Sequence, residues 1–203
     1  GHSLTLTVPL RMRQLGERRY SVVGTPTDAV MMGINKVMKD NPPDLLLSGV
    51  NRGANLAEDV THSGTVCAAM EGALAGVPSI ALSQCYGAQG MGDDVPFSAA
   101  RSWGPQVLEK LAGYEFPPKT LLNVNFPACA PDDVKGIRTV TQGMRDYGRL
   151  QILENKDPRG NPYCGRGLGP RVGTPGHSTD LEAVADGFVS VSPLHLDMTH
   201  HRS

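Results

Sequence analysis

Short apolar runs, closed by glycine and proline, set the rhythm of this chain. DLLLSG (Asp44–Gly49) is one, and PSIALS (Pro78–Ser83) repeats it after Gly76. Unbroken apolar character over so few residues marks a strand covered on both faces, so both are expected as parallel strands of a buried sheet. KTLLNVNFP from Lys119 predicts another such strand, and FVSVSPL from Phe188 a further one. Between them the period becomes helical. Ser63 to Ala75 places Val66, Met70, Ala73 and Leu74 on one helical face behind a serine N-cap. Thr25-Pro26 opens a helix whose apolar side is Ala29, Val30, Ile34, Val37 and Met38 and which ends before Pro42. Phe97 to Leu111 gives another, with Ala100, Trp103, Val107, Leu108 and Leu111 as core contacts, Gly113 as its stop and Pro105 placed to kink it. Alternating strands and helices predict an α/β protein built on a mainly parallel sheet.

Other segments break this pattern. GHSLTLTVPL, at the start, reads as a β segment that needs a partner. From Arg138 to His177 glycine, proline and charge rise, and alternating stretches such as RLQILEN predict a long β-hairpin projecting from the body. Thr179 and Glu182 form a capping box that starts a short helix, Asp180 to Asp186, ahead of Gly187. The chain therefore divides into a main domain (1–137), a hairpin extension (138–178) and a return to the core (179–203).

Composition narrows the partners. With 203 residues and 39% hydrophobic content the chain can bury a full core. Its 19 basic and 20 acidic residues leave a formal charge of −1, which offers no basic field to polymeric nucleic acid. Cys67, Cys85, Cys129 and Cys164 are far apart and lack CxxC spacing, so neither a zinc knuckle nor a disulfide framework is indicated; reduced thiols point to the cytoplasm. No apolar run approaches the roughly 20 residues that a bilayer crossing requires.

The chemistry concentrates in the loop after DLLLSG. Asn51, Arg52, Asn55, Asp59, His62, Ser63 and Thr65 all follow a strand end, the place where ligands of open α/β sheets collect. The helix behind Ser63 would aim its N-terminus at this loop, and its first amides have no partners within the helix. Gly64 leaves room for close approach and the Ser63 and Thr65 hydroxyls add donors, an arrangement suited to phosphate. An ordinary capped structural helix is the plainer alternative.

The stretch SGVNRGANLAEDVTHSGTVCAAMEGALAGVPSIALS resembles the central block of the SurE family, metal-dependent phosphatases of nucleoside 5′-monophosphates. The likeness extends to GHSLTLTVPL, to GTPTDAV from Gly24, LLNVNFP from Leu121, DPRGNPY from Asp157 and DLEAVADGFVSVSPLHLDMT from Asp180. It implies a Rossmann-like three-layer fold, a nucleoside 5′-monophosphate substrate and a homodimer or homotetramer assembled through the hairpin. By position Asn51 matches the family's asparagine metal ligand, while Asn55, Ser63, Gly64 and Thr65 match its phosphate pocket. An asparagine carbonyl is a hard ligand suited to a divalent ion such as magnesium or manganese. His62, where relatives carry a tyrosine, is a candidate general acid.

Departures from the pattern raise further expectations. The family's metal site is completed by an Asp-Asp pair and a serine that precede the matched region, so a longer natural protein is expected. Asp93-Asp94 and Asp132-Asp133 read instead as solvated turns. YCGRG stands where relatives carry an aromatic after the tyrosine. The close at MTHHRS, with His200 and His201 as a tail, falls short of the family's terminal helix. The alternative function is a catalytically inactive nucleotide- or phosphate-binding protein. Asn123 and Asn125 are expected to fix local backbone rather than touch substrate, and Arg52 to be structural or to assist.

Overall fold

The structure, a computed structural model, describes residues 2–87, 96–111, 113–145, 150–168 and 178–199. Asp93-Asp94, His177 and the His200-His201 tail lie outside them.

The main sheet has five strands: β3 (Leu46–Arg52), β4 (Ser79–Gln84), β5 (Thr120–Phe126), β9 (Val189–His195) and β6 (Ile137–Thr139), in that spatial order. β3, β4 and β5 run parallel, β9 is antiparallel to β5, and β6 is parallel to β9. Alternation along these strands divides the core. Ile80, Leu82, Leu122, Val124, Val189 and Val191 point to the face covered by Ala99, Ala100 and Val107 of α3 (Ser98–Leu111). Ala81, Leu121 and Leu194 meet Val66, Ala69, Met70 and Ala73 of α2 (Gly64–Leu74) on the other. The result is the expected three-layer α/β architecture.

Several expectations need correction. The first residues, 2–10, form no strand: β1 (Arg11–Gly16) follows them and pairs with β2 (Arg19–Val23) in an antiparallel hairpin. The initial segment is tied down by hydrogen bonds instead, with the Thr5 amide and hydroxyl donating to Asp28 at 2.9 and 2.6 Å. DLLLSG is only partly covered: Leu47 and Val50 of β3, the outermost described strand on its side of the sheet, are partly exposed. Leu74 is 55% exposed, outside the buried surface of α2, whereas Cys67, Ala68 and Gly72 are buried. α1 (Pro26–Met32) packs on α2 as well, and Gly72 lies against Ser79 and Leu46 of the sheet. α1 ends in a π-helical turn, Gly33–Val37, before Pro42, and leaves Ala29 and Met38 exposed.

Local signals hold elsewhere. Thr25 and Asp28 form a capping box with Pro26 in the first turn of α1. Thr179 and Glu182 do the same for α4 (Asp180–Ala185), after which Gly187 adopts φ +86°. Asp132-Asp133 occupies an exposed 3-10 turn, Pro131–Asp133. The expected hairpin extension does not begin at Arg138, because Ile137–Thr139 forms β6 of the main sheet; within it β7 (Leu150–Lys156) and β8 (Pro162–Leu168) pair with each other in a separate two-stranded sheet. It leaves Ile152, Leu153 and Tyr163 roughly half exposed.

Candidate active site

Parallel strands bring their carboxyl ends together, so Asn51 and Arg52 of β3 emerge beside Ser83 and Gln84 of β4. β3 reaches this point through an irregularity in which Ser48 pairs with Ala81 but Asn51 with Ser83, an extra residue that re-aims the strand end. Only glycine fits there: Gly49 has φ +130°, and a Cβ would collide with the Leu82 carbonyl. Asn51 then donates from Nδ2 to the Gly53 carbonyl at 3.0 Å. Since a carbonyl can only accept, this bond fixes the amide orientation and leaves Oδ1 as the side chain's available oxygen. Arg52 is exposed and has an interaction of its own.

Asn55 is gripped from several sides. Its amide donates to Asn125 Oδ1 at 2.8 Å, and its carbonyl accepts from Asn125 Nδ2 at 3.1 Å and Asn123 Nδ2 at 2.8 Å. Its side-chain nitrogen donates to Ser83 Oγ at 2.7 Å. Asn123, Asn125 and Ser83 are fully buried, so a loop that would otherwise be mobile is bonded to the ends of β4 and β5. Asn123 and Asn125 do fix backbone, but that of Asn55 in a distant loop and not the local backbone expected of them. Asn55 itself is only 6% exposed.

The chain then passes through a 3-10 turn, Ala57–Thr61, to His62, which closes the turn by donating its amide to Asp59 O and is exposed. Ser63 caps α2 as predicted, its Oγ accepting from the Val66 amide at 3.0 Å. That bond leaves the Gly64 and Thr65 amides at the head of the helix, where the dipole is positive. Gly64 has a packing reason as well: a Cβ there would lie 2.9 Å from Pro26 Cγ. The N-terminal turns of α1 and α2 therefore meet at this glycine.

Residues distant in sequence close over the turn, and local reading missed them. Asp180, fully buried, accepts from the Ala57 amide, and Gln142 donates to the Ala57 carbonyl. Arg145 bonds Glu58 and Asp59. Burial alone would raise the Glu58 carboxyl, but hydrogen bonds from its own amide and from Arg145, with the guanidinium charge, bring it below the usual value. Burial likewise opposes the charge on Arg145, and its bonds to Asp59 and Glu58 outweigh this and raise its pKa. The polar residues at Gln142, Arg145 and Asp180 carry no local signal of this contact.

Among the described residues no group of three or more His, Cys, Asp or Glu could hold a metal. Asn51 Oδ1 fits a hard divalent ion as one oxygen donor, and the described residues supply no carboxylate cluster beside it.

Taken together, fold and site define an α/β protein in which a clamped polar loop delivers a capped helix to the carboxyl edge of parallel strands. The family model described as Survival protein SurE matches residues 1–149. A 5′-nucleotidase SurE of Rhizorhabdus wittichii is 63% identical over 201 residues, covering 99% of this chain and 79% of that protein. That of Erythrobacter litoralis is 55% identical with the same coverage. The crystal structure of the SurE protein from Aquifex aeolicus superposes with a TM-score of 0.83 at 39% identity, covering 100% of this chain and 79% of that one. This chain belongs to the SurE family.

Proposed function

We propose that the protein is a SurE-type 5′-nucleotidase, a hydrolase that releases phosphate from nucleoside 5′-monophosphates. The observation that carries the reading is the start of α2: Ser63 capped onto Val66, with the Gly64 and Thr65 amides at the carboxyl edge of β3 and β4. Such a helix start stabilises charge on a phosphoryl group without reorganising during the reaction. Ser63, Gly64 and Thr65 hold the phosphate, and Asn55, locked in place, forms the adjoining wall. Asn51 contributes its oxygen to a divalent ion, magnesium or manganese. When bound, that ion supplies charge neutralisation and an activated water. His62, exposed before the helix start, would be the general acid that gives a proton to the leaving alkoxide. Family membership and the printed activity of the relatives support this reading.

Its test is phosphate release from a nucleoside 5′-monophosphate with magnesium or manganese and with chelator. Metal-dependent turnover that Asn51→Ala abolishes is the expected result. Nucleotide binding without turnover under every metal condition would favour an inactive binding protein instead. The exposed apolar side chains of the hairpin, Ile152, Leu153 and Tyr163, support assembly into a homodimer or homotetramer. A cytoplasmic location is part of this proposal; separately, no described helix is long and apolar enough to cross a membrane.

A further inference from the structure

The turn Ala57–Thr61 hands the chain to His62 and Ser63 and so decides where α2 begins. Its leading polar groups are held from far along the sequence. The Ala57 amide donates to Asp180 Oδ2 at 2.8 Å, and the Ala57 carbonyl accepts from Gln142 Nε2 at 3.0 Å. Arg145 Nη1 reaches the Leu56 carbonyl and Glu58 Oε1, each at 3.2 Å, while Nη2 lies 2.9 Å from Asp59 Oδ2. The Arg145 backbone amide adds a bond to Glu58 Oε2 at 2.9 Å. Asp180 also accepts from the amides of Gly143 and Leu181, each at 2.8 Å, which ties the strap 141–145 to the start of α4. Ala57 sits at φ +53°, a left-handed conformation unfavourable for a residue with a Cβ. Bonds to both its amide and its carbonyl hold it there.

We propose that Arg145 is a positioning residue for the reaction: by bridging Leu56, Glu58 and Asp59 it fixes the Ala57–Thr61 turn and, through it, the Ser63–Thr65 start of α2. This rests on the reading of that helix start as the phosphate site. One planar guanidinium serves the several acceptors at once, a geometry that an ammonium cannot reproduce. The side chains of Arg145 and Glu58 are 16% and 11% exposed, so the pair is largely removed from water and its loss strands a carboxylate beside the site.

Arg145→Ala and Arg145→Lys, compared with the wild-type protein, test the inference by kinetics and by amide hydrogen exchange. In Arg145→Ala, kcat/KM for phosphate release is expected to fall by about tenfold or more, a loss typical of a misplaced catalytic surface. Exchange should quicken at the Asp59 and His62 amides, which close the turn, while amides of β4 and β5 keep their protection. Added guanidinium ion should restore part of the activity of Arg145→Ala and none in the wild type, and Arg145→Lys should fall between. Folded Arg145→Ala with wild-type kcat/KM and wild-type exchange at Asp59 and His62 would overturn the inference. So would protection lost evenly through β4 and β5 with no rescue, the mark of a purely structural tie. If Arg145→Ala does not fold, Arg145→Lys decides by the same two readouts. A wild-type protein without turnover would refute the nucleotidase reading, and the exchange measurement would still decide what Arg145 holds.

Discussion

At the residue scale, the site is made from amides that recognise backbone. Asn125 meets both the amide and the carbonyl of Asn55, so its own orientation is settled by chemistry: an oxygen must face N–H and a nitrogen must face C=O. Replacing it with alanine would leave the buried Asn55 amide without an acceptor. Asn125→Ala is expected to cost about 1–3 kcal/mol in a denaturant titration, and to weaken nucleotide binding because the loop loses its anchor. Gly64 makes a different case. Sequence alone gives it to phosphate, but Pro26 occupies the space a side chain would need. Gly64→Ala is therefore expected to lose about 1–3 kcal/mol by overpacking, with much of the loss recovered in a Pro26→Ala background. Recovery of stability without recovery of nucleotide affinity would separate the packing role from the binding role.

Among the elements, helix starts are the best determined parts of the chain. Capping depends on a side chain and an amide three residues apart, and Thr25, Ser63 and Thr179 all do what their neighbours imply. Thr179→Ala should destabilise the protein by about 1 kcal/mol on thermal or chemical unfolding. The cap of α1 has a longer reach, because Asp28 also accepts from Thr5. The hydroxyl and amide of Thr5, then the amide of Thr25, pull the Asp28 carboxyl from 3.8 down to about 2. A depressed carboxylate stabilises the fold fully above its unfolded value, and that contribution disappears as pH falls through the folded one. Acid unfolding followed by circular dichroism should accordingly show a contribution from Asp28 lost between pH 3.8 and about 2, and absent in Asp28→Asn. The initial segment departs from the strand that its alternation predicts for a related reason: in GHSLTLTVPL the Thr5 amide and hydroxyl are bonded to Asp28 of α1.

For the whole molecule, the hairpin β7–β8 stands apart, its two strands paired with each other and outside the main sheet. It forms a sheet by itself, and two-stranded sheets with exposed Ile152, Leu153 and Tyr163 are marginal in water without a covering surface. Light scattering at micromolar concentration is expected to give at least a dimer, and Ile152→Glu with Leu153→Glu to shift it toward monomer; a strictly monomeric wild type would count against assembly through this arm. The sequence by itself determined the strands β4, β5 and β9, the capped helices, the existence of a hairpin though not its start, and the loop and helix start proposed as the phosphate site. These depend on apolar period and on hydrogen bonds spanning a few residues, information that a short window contains. Tertiary structure alone decided that α1 packs on α2 and that Asn55 is gripped by Asn123 and Asn125. It also decided that Asp180 would meet Ala57 across 123 residues of chain and that Arg145 would meet Glu58 across 87. Such contacts exist only once strand order and layer packing have brought distant segments together, and no local pattern of residues encodes which polar group will be waiting on the other side.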